Sequence, residues 1–155
     1  MPNAQPSADS VRYRWTVLVM LTLVYTFNFI DRQILVILQE PIKADLGLSD
    51  AQLGLLTGFS FALVYVTAGI PIAWLADRSN RRNIVAASLA FWSLMTALSG
   101  LVQNYAQLLA ARLGVGVGEA GGSPPSHSMI SDYFPQSSRG TALSFYSMGI
   151  YIGVL

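Results

Sequence analysis

The chain has 155 residues, of which 53% are hydrophobic and only 11% are charged, and its formal net charge is +1. Soluble domains carry about 25% charged residues, so this composition is typical of a membrane protein. The sequence has no cysteine and a single histidine, which excludes disulfides and thiol nucleophiles and argues against a metal site. No nucleophile–base pair stands out either. We expect neither enzymatic activity nor a cofactor, and no nucleic acid among the partners.

The first apolar segment follows a polar, proline-containing start of the chain. We predict that residues 1–14 form a disordered cytoplasmic tail. Arg12 and Arg14 before an apolar run superficially resemble a signal peptide, but the run is too long and lacks a small-residue cleavage pattern. A helix of about 20 apolar residues crosses the hydrocarbon of a bilayer, so residues 15–38 predict a membrane helix that is retained.

The apolar segments that follow predict a helical transmembrane bundle over residues 15–155, and hence an all-α membrane protein. Pro41 and Gly47 interrupt a polar connector after the first span. Pro124 and Pro125 predict a bend near the end of the fourth span. The later spans are predicted at residues 53–76, 83–101 and 106–130, with a truncated fifth from about residue 140.

The basic residues of the connecting segments predict the orientation of the bundle. Lys43 is the one basic residue on the side opposite the N-terminus. Since Lys and Arg accumulate in cytoplasmic loops, we expect a multi-pass protein of the inner (plasma) membrane with its N-terminus in the cytoplasm. The basic residues on the N-terminal side are Arg12, Arg14, Arg78, Arg81, Arg82 and Arg139.

Glycines at every fourth position predict that the helices pack closely. They form three groups, which are Gly54/Gly58, Gly114/Gly118/Gly122 and Gly149/Gly153. A dinucleotide fingerprint, G-x-G-x-x-G, also fits residues 116–121. That fingerprint needs a preceding strand and a following helix, whereas these residues lie inside a membrane-length segment, so we exclude nucleotide binding.

Four charged residues lie within the predicted spans. Asp31 and Arg32 end the first span, and Arg112 and Glu119 lie seven residues apart in the fourth. Seven residues make nearly two helical turns, so the side chains of the second pair share one helix face. Ionised groups at membrane depth are costly and are functional candidates by default. A carboxylate between an apolar cavity and a guanidinium can load and release a proton; the alternative is a static ion pair that fixes helix register.

His127 follows Glu119 by eight residues and lies on nearly the same helix face, closer to the cytoplasm. One interpretation is that it relays protons or contacts the head group of a substrate. The alternative is a histidine at a helix end that bonds to a loop carbonyl. We include His127 among the candidate residues of the central cavity.

The short turn after the second span carries a recognisable pattern. Residues 73–82 read AWLADRSNRR, which resembles the signature G-x-L-A-D-R-x-G-R-[RK] of the major facilitator superfamily. Ala73 and Asn80 replace its two glycines, and Asn tolerates the left-handed turn geometry better than other residues with a side chain. The alternative is a cluster of positive charge that only sets the topology.

Further motifs of the same superfamily follow. Residues 112–120, RLGVGVGEA, resemble its R-x-x-x-G motif, and residues 132–140 resemble its loop between helices four and five. Together with Asn28-x-x-Asp31-Arg32 and the G-E-A-G-x-x-P-P-x-H pattern of residues 118–127, they resemble the Spinster-like branch. The resemblance covers nearly the whole chain from Trp15 onward.

The resemblance implies a fold and a set of residue roles. It implies the partial amino-terminal half of a carrier whose two pseudo-symmetric halves rock against each other, so we expect a fragment that lacks the carboxy-terminal half. Substrate movement and proton coupling would involve Asp31, Arg32, Arg112, Glu119 and His127. A cytoplasmic charge network that latches one state would involve Asp77, Arg78, Arg81, Arg82, Asp132 and Arg139.

These observations predict secondary active transport by alternating access, coupled to protons. The expected substrate is a small or amphiphilic organic anion, and the resemblance adds a lysolipid or sphingoid-type lipid as one candidate. Arg32 and Arg112 would meet the anionic group, while Glu119 and Asp31 would carry protons. Two alternatives stay open: a proton-coupled antiporter for cationic drugs, in which Glu119 meets the cation, and a non-transporting membrane scaffold. The expected partners are the lipid bilayer, the substrate, protons and the missing half of the carrier.

Overall fold

The computed structural model describes residues 8–155, with side chains from Ser10 onward. Within that range the chain is helical and contains no strand. The helices are α1 (Ala8–Ile37), α2 (Gln39–Leu46), α3 (Asp50–Gly54), α4 (Ser60–Arg78), α5 (Arg81–Ser99), α6 (Tyr105–Ala120), α7 (Ser123–Tyr133) and α8 (Gln136–Val154). A single π-helical turn, Leu55–Phe59, joins α3 to α4, so that residues 50–78 form one continuous helix.

Polar side chains start the helices where the sequence places capping residues. The Ser49 hydroxyl accepts a hydrogen bond from the Gln52 amide, and the Gln52 side chain accepts one from the Ser49 amide at 2.9 Å. This reciprocal pair is a capping box, which satisfies two amides at the start of α3. The Asn80 side chain caps α5 by accepting a hydrogen bond from a backbone amide of its first turn, and the Asn104 side chain caps α6 in the same way. Gly47, at a φ of 63°, ends α2 with the left-handed geometry that favours glycine.

The predicted disordered tail differs from the structure. Helix α1 begins at Ala8, so residues 8–14 are helical, while residues 1–7 lie outside the described part of the chain. Aromatic contacts from distant segments explain the difference. The Tyr13 ring packs edge-on against Tyr133 at a centroid distance of 5.7 Å, and Trp15 packs edge-on against Phe134 at 5.5 Å.

Two stretches of the described chain are long and apolar enough to cross a membrane on their own, Ser10–Ile37 and Asp50–Arg78. They match the first two predicted spans. The predicted fourth span, residues 106–130, is divided between α6 and α7. The break falls at Gly121 and Gly122, just before the prolines, because Pro is accommodated in the first turn of α7. The spans at 83–101, 106–130 and from 140 stay predictions.

Close helix packing depends on two of the three glycine groups. Helix α8 packs against α1, and a Cβ atom at Gly153 would lie 2.6 Å from the Thr26 carbonyl oxygen. Helix α5 packs against α6, and a Cβ atom at Gly118 would lie 2.9 Å from the Trp92 amide nitrogen. These glycines therefore allow backbone-to-backbone approach. Gly54 and Gly58 face open space, so the packing role predicted for them is not seen within this chain.

The packed helices leave an apolar outer surface and bury several polar and charged side chains within a mainly apolar interior. Large apolar side chains are exposed along one stripe of α4 and its preceding turn, Phe59, Leu63, Val66, Ile70 and Trp74. The buried residues, by contrast, include Asn28, Arg112 and Glu119. An apolar exterior around buried charges is the arrangement expected in lipid, where charged side chains face the bundle interior or a cavity.

Candidate functional site

Glu119 of α6 forms an ion pair with Arg32 of α1. Its Oε2 atom accepts a hydrogen bond from Nε of Arg32 at 2.7 Å, and Nη2 of Arg32 lies 2.7 Å from the same oxygen. The Glu119 side chain is fully buried, whereas 31% of the Arg32 side chain is exposed. The pair therefore joins two helices at the edge of the packed interior, with its guanidinium on the open side. Charge-assisted pairs of this kind are among the stronger hydrogen bonds in proteins.

A second guanidinium lies beside this pair. The guanidinium carbons of Arg32 and Arg112 are each 4.9 Å from the centroid of the Phe61 ring on α4. Arg112 is buried, and its Nε has no hydrogen-bond partner among the described residues. The ring attracts a cation through its quadrupole, so Phe61 stabilises two positive charges without supplying a negative one. The arrangement presents two guanidinium groups, of which only one is paired with a carboxylate.

Asp31 lies near Arg112 and does not pair with it. Both residues line a cavity of about 190 Å³ together with Thr96 and Ser99 of α5. The sequence does not decide which carboxylate pairs with which arginine. Among the described residues the ion pair that forms is Arg32–Glu119. The four charges predicted within the spans thus occupy neighbouring positions between α1, α4 and α6.

His127 is placed apart from the charges. Its side chain is exposed, and its ring packs edge-on against Tyr146 of α8 at a centroid distance of 5.2 Å. Tyr146 in turn stacks on Tyr25 of α1 at 4.4 Å. Tyr25 and Tyr146 line a narrow crevice that reaches Glu119. His127 thus contacts a ring that lines the crevice beside Glu119, but it does not line the crevice itself.

The predicted network of loop charges lies at the end of the bundle where α1 begins. Arg81, the first residue of α5, forms an ion pair with Asp132, near the end of α7. The Arg78 guanidinium lies 4.0 Å from the centroid of Trp74, and Arg139 donates a hydrogen bond to the Ser131 carbonyl at 2.8 Å. Asp77, Arg81, Arg82 and Asp132 line one open cavity of about 430 Å³.

A family model described as Major Facilitator Superfamily matches residues 21–155. That range is most of the chain. The chain belongs to the Major Facilitator Superfamily.

Two curated members of the superfamily illustrate its breadth. The chain is 40% identical over 139 residues to an "MFS-type efflux pump" of Mycolicibacterium smegmatis, which covers 90% of this chain and 32% of the relative. It is 33% identical over 159 residues to a "probable galactarate/D-glucarate transporter GudP" of Bacillus subtilis, which covers 99% of this chain and 35% of the relative. The chain thus spans about a third of the length of these relatives. Both are transport proteins by name, a class whose members are generally not enzymes.

Solved structures similar to this chain identify its branch of the superfamily. A bacterial homolog of the human lysosomal transporter Spinster, crystallised in an inward-facing and occupied conformation, shares 50% identity with this chain at a TM-score of 0.87. The alignment covers 91% of this chain and 30% of that one. The unoccupied form of the homolog gives a TM-score of 0.88. The chain is therefore a Spinster-like member of the superfamily, whose members are integral membrane proteins.

The aromatic residues of the site were missed by the sequence analysis. Phe61 and Tyr65 lie one turn apart on α4, and Arg32 lies over both rings, at 4.9 and 5.4 Å from their centroids. Tyr25 and Tyr146 line the crevice beside Glu119. Aromatic side chains inside an apolar span look the same in sequence whether they pack against lipid or against a guanidinium. The spacing of Phe61 and Tyr65 was the one available signal.

Proposed function

We propose that the carrier containing this chain is a proton-coupled secondary transporter of a small or amphiphilic organic anion, working by alternating access. The observation that carries the proposal is the Arg32–Glu119 ion pair beside the unpaired guanidinium of Arg112. Two arginines at one ring are suited to a carboxylate or phosphate group, since guanidinium groups bind both with paired hydrogen bonds. The four charged residues would act as one site.

Charge balance couples the proton to the anion in this proposal. Arg32 and Arg112 carry two positive charges, which Glu119 and Asp31 offset with two negative ones. A proton that binds Glu119 removes one negative charge and releases Arg32 from its partner. An uncompensated buried charge is strongly unfavourable, so the protonated site favours an anion. Proton and anion would therefore enter and leave together.

Two substrate classes share this anionic chemistry. The relative named as a galactarate/D-glucarate transporter favours a sugar acid, whereas the Spinster-like branch favours a lysolipid or sphingoid-type lipid. Both would place a carboxylate or phosphate between Arg32 and Arg112. They differ in whether an apolar chain must also be held, which a transport assay with both classes separates.

The loop charges would control access to the site. The Arg81–Asp132 ion pair joins α5 to α7 at the end where α1 begins, and the remaining members Asp77, Arg78, Arg82 and Arg139 lie around it. We place this end in the cytoplasm of a cell with the carrier in its inner membrane. The pair would hold this half closed against the remainder of the carrier in one state and release it in the other.

The test is uptake by the complete carrier in proteoliposomes under an inward proton gradient. The probes are radiolabelled D-glucarate and a fluorescent lysophospholipid. We expect Glu119→Gln to abolish the stimulation of uptake by the gradient while the protein still assembles. Glu40→Gln, which changes an exposed carboxylate on α2, is the matched control and should leave uptake unchanged. Gradient-driven uptake that survives Glu119→Gln would show that the assignment is wrong.

A second candidate function follows from the relative named as an efflux pump. In a proton-coupled drug antiporter Glu119 would leave Arg32 and pair with a cationic substrate. The same proteoliposomes separate the two functions when ethidium replaces the anions. Proton-driven transport of ethidium but of neither anion would favour the antiporter. If neutralising Asp31 or Glu119 altered only assembly, a scaffold would be the better description.

A further inference from the structure

One oxygen of Glu119 binds Arg32, and the other is not held by a charged group. Oε2 accepts the hydrogen bond from Nε of Arg32, whereas Oε1 is buried and forms no hydrogen bond of regular geometry with any described residue. The Asn28 side chain lies beside the carboxylate in the same crevice. The side chain is fully buried. A buried polar atom without a partner is unfavourable, and in native structures each such atom calls for a specific reason. The proton that Glu119 would carry also has to reach one of these two oxygens.

The Oε1 atom of Glu119 belongs to a side chain that lines a narrow polar crevice. The polar residues of the crevice are Tyr25, Asn28, Glu119, Ser123, Ser126 and Tyr146. Its volume is about 10 Å³, which is room for about one water molecule. An organic anion does not fit into this space. A single water with several polar neighbours does, which is the setting in which buried waters are found.

The crevice extends from Glu119 toward the end of the bundle where α1 begins. Ser123 and Ser126 follow Glu119 on the course of the chain toward Tyr133, at that end. Tyr146 and Tyr25 line the crevice with stacked rings, and the ring of the exposed His127 packs edge-on against Tyr146. Arg32 binds Oε2 of Glu119, while Tyr25 and Tyr146 line the crevice beside the same carboxylate. Because the crevice is too small for an organic anion, only a water or a proton can approach Glu119 through it.

We propose that Tyr146, together with Tyr25, is a positioning residue that holds a water against Oε1 of Glu119 and so forms the route for proton exchange with the cytoplasm. Along this route each hydroxyl or water accepts one proton on one side and gives up one on the other. One proton therefore moves between bulk solvent and Glu119, and every intermediate group returns to its starting form. The inference rests on the proposed proton coupling and names the residues that serve it.

Charged and titratable groups approach Glu119 from several helices. Arg32 comes from α1 and Arg112 from α6 itself, with Tyr65 of α4 beside Arg32 and Asp31 beside Arg112. The titratable residues that line the crevice with Glu119 are Tyr25 and Tyr146, and His127 packs against Tyr146. Helix α5 contributes Trp92, which does not titrate.

Two transport modes distinguish a proton route from a structural role. Net uptake driven by a pH gradient requires Glu119 to gain and lose its proton in each cycle. Exchange of labelled against unlabelled anion at equal pH proceeds with the proton still bound. We expect Tyr146→Phe in the complete carrier to slow net uptake by about tenfold, a modest loss for a proton-transfer group, and to leave exchange within about twofold. Tyr25→Phe should act in the same direction.

The substitution keeps the ring, so the stack on Tyr25 persists and only the hydroxyl is lost. Tyr151→Phe is the matched control, since Tyr151 lies on the same helix with 72% of its surface exposed, and it should change neither mode. An equal loss in both modes would show that Tyr146 is structural, and unchanged net uptake would show that no route passes through it. If Glu119→Gln still abolishes gradient-driven uptake, either result overturns this inference and leaves the proposed function intact. If gradient-driven uptake survives in Glu119→Gln, both the proposed function and this inference are wrong.

Discussion

The guanidinium of Arg112 lies 4.9 Å from the centroid of the Phe61 ring and does not form an ion pair with any described carboxylate. The guanidinium of Arg32 lies at the same distance from the centroid of the same ring. One aromatic side chain of α4 thus stabilises two cations from α1 and α6. A quadrupole attracts a cation without neutralising it, so Arg112 keeps its full charge, as Arg32 would once a proton on Glu119 released it. In the proposed function we therefore expect Phe61 to contribute to anion binding, although it carries no charge.

Replacement of Phe61 by Leu tests that role. We expect the KM for anion uptake to rise by about five- to thirtyfold, which corresponds to the roughly 1–2 kcal/mol of a desolvated cation–π contact. The measurement is concentration-dependent uptake by the complete carrier in proteoliposomes. Phe59→Leu is the matched control, because Phe59 lies two residues earlier with 69% of its surface exposed. Equal KM values for the two variants would contradict the assignment.

The Arg32–Glu119 ion pair predicts a non-additive effect on stability. Arg32→Ala leaves a carboxylate buried without its partner, which for a fully buried pair costs about 3–5 kcal/mol. Because about a third of the Arg32 side chain is exposed, we expect a smaller loss of roughly 2 kcal/mol. The double variant Arg32→Ala/Glu119→Gln should recover most of it. Thermal unfolding of the purified carrier in detergent, arranged as a double-mutant cycle, measures the coupling. Strict additivity would show that the pair does not contribute.

The charged residues of the candidate site could be identified from sequence, because ionised side chains inside membrane-length apolar segments are costly and are functional candidates by default. The sequence could not predict which carboxylate pairs with which arginine. The pairing depends on how α1 and α6 are rotated and shifted relative to each other, and the long Arg32 side chain reaches Glu119 across that gap. The cation–π contacts of Phe61 could not be predicted either. An aromatic residue in an apolar span looks the same in sequence whether it packs against lipid or against a guanidinium.

The same contrast holds for the fold. Span length and apolar composition predicted the first two long helices closely, and Pro124–Pro125 predicted a bend in the fourth. The bend lies a few residues earlier, at Gly121, because the prolines fit the start of the next helix. The start of α1 was placed too late because the contacts that order it, from Tyr133 and Phe134, come from residues more than a hundred positions away.

The glycine contact between α8 and α1 predicts a large effect from a single methyl group. In Gly153→Ala the new Cβ would lie 2.6 Å from the Thr26 carbonyl oxygen and 2.7 Å from the Phe29 Cβ. Since this oxygen belongs to the backbone, the helices must separate, and we expect a loss of about 1–3 kcal/mol in unfolding free energy. Gly140→Ala on the same helix meets nothing within 4 Å and should be neutral or stabilising by up to about 1 kcal/mol. Detergent thermal unfolding of both variants compares them directly, and equal midpoints would contradict the packing argument.

The Arg81–Asp132 ion pair predicts a change in transport rate without a change in stability. Asp132 is largely exposed, and exposed pairs contribute about 0–1 kcal/mol. A shift of that size between two carrier states nonetheless changes their ratio by up to about fivefold. We therefore expect Asp132→Asn to alter the uptake rate several-fold with an unchanged unfolding midpoint, and the charge exchange Arg81→Asp/Asp132→Arg to restore part of the wild-type rate.

The Lys43–Asp50 pair supplies the control for this prediction, since it lies at the opposite end of the bundle and is also exposed. The hydrogen bond and charge of Asp50 raise the pKa of Lys43 above its ordinary value, so the lysine stays charged, and the pair intact, throughout a neutral assay range. Asp50→Asn also removes one exposed ion pair, but this pair lies far from Arg81 and Asp132, which form the proposed latch. The uptake rate should be unchanged. If Asp50→Asn slowed uptake as much as Asp132→Asn did, the effect would belong to surface charge in general, and the Arg81–Asp132 pair would not be a latch.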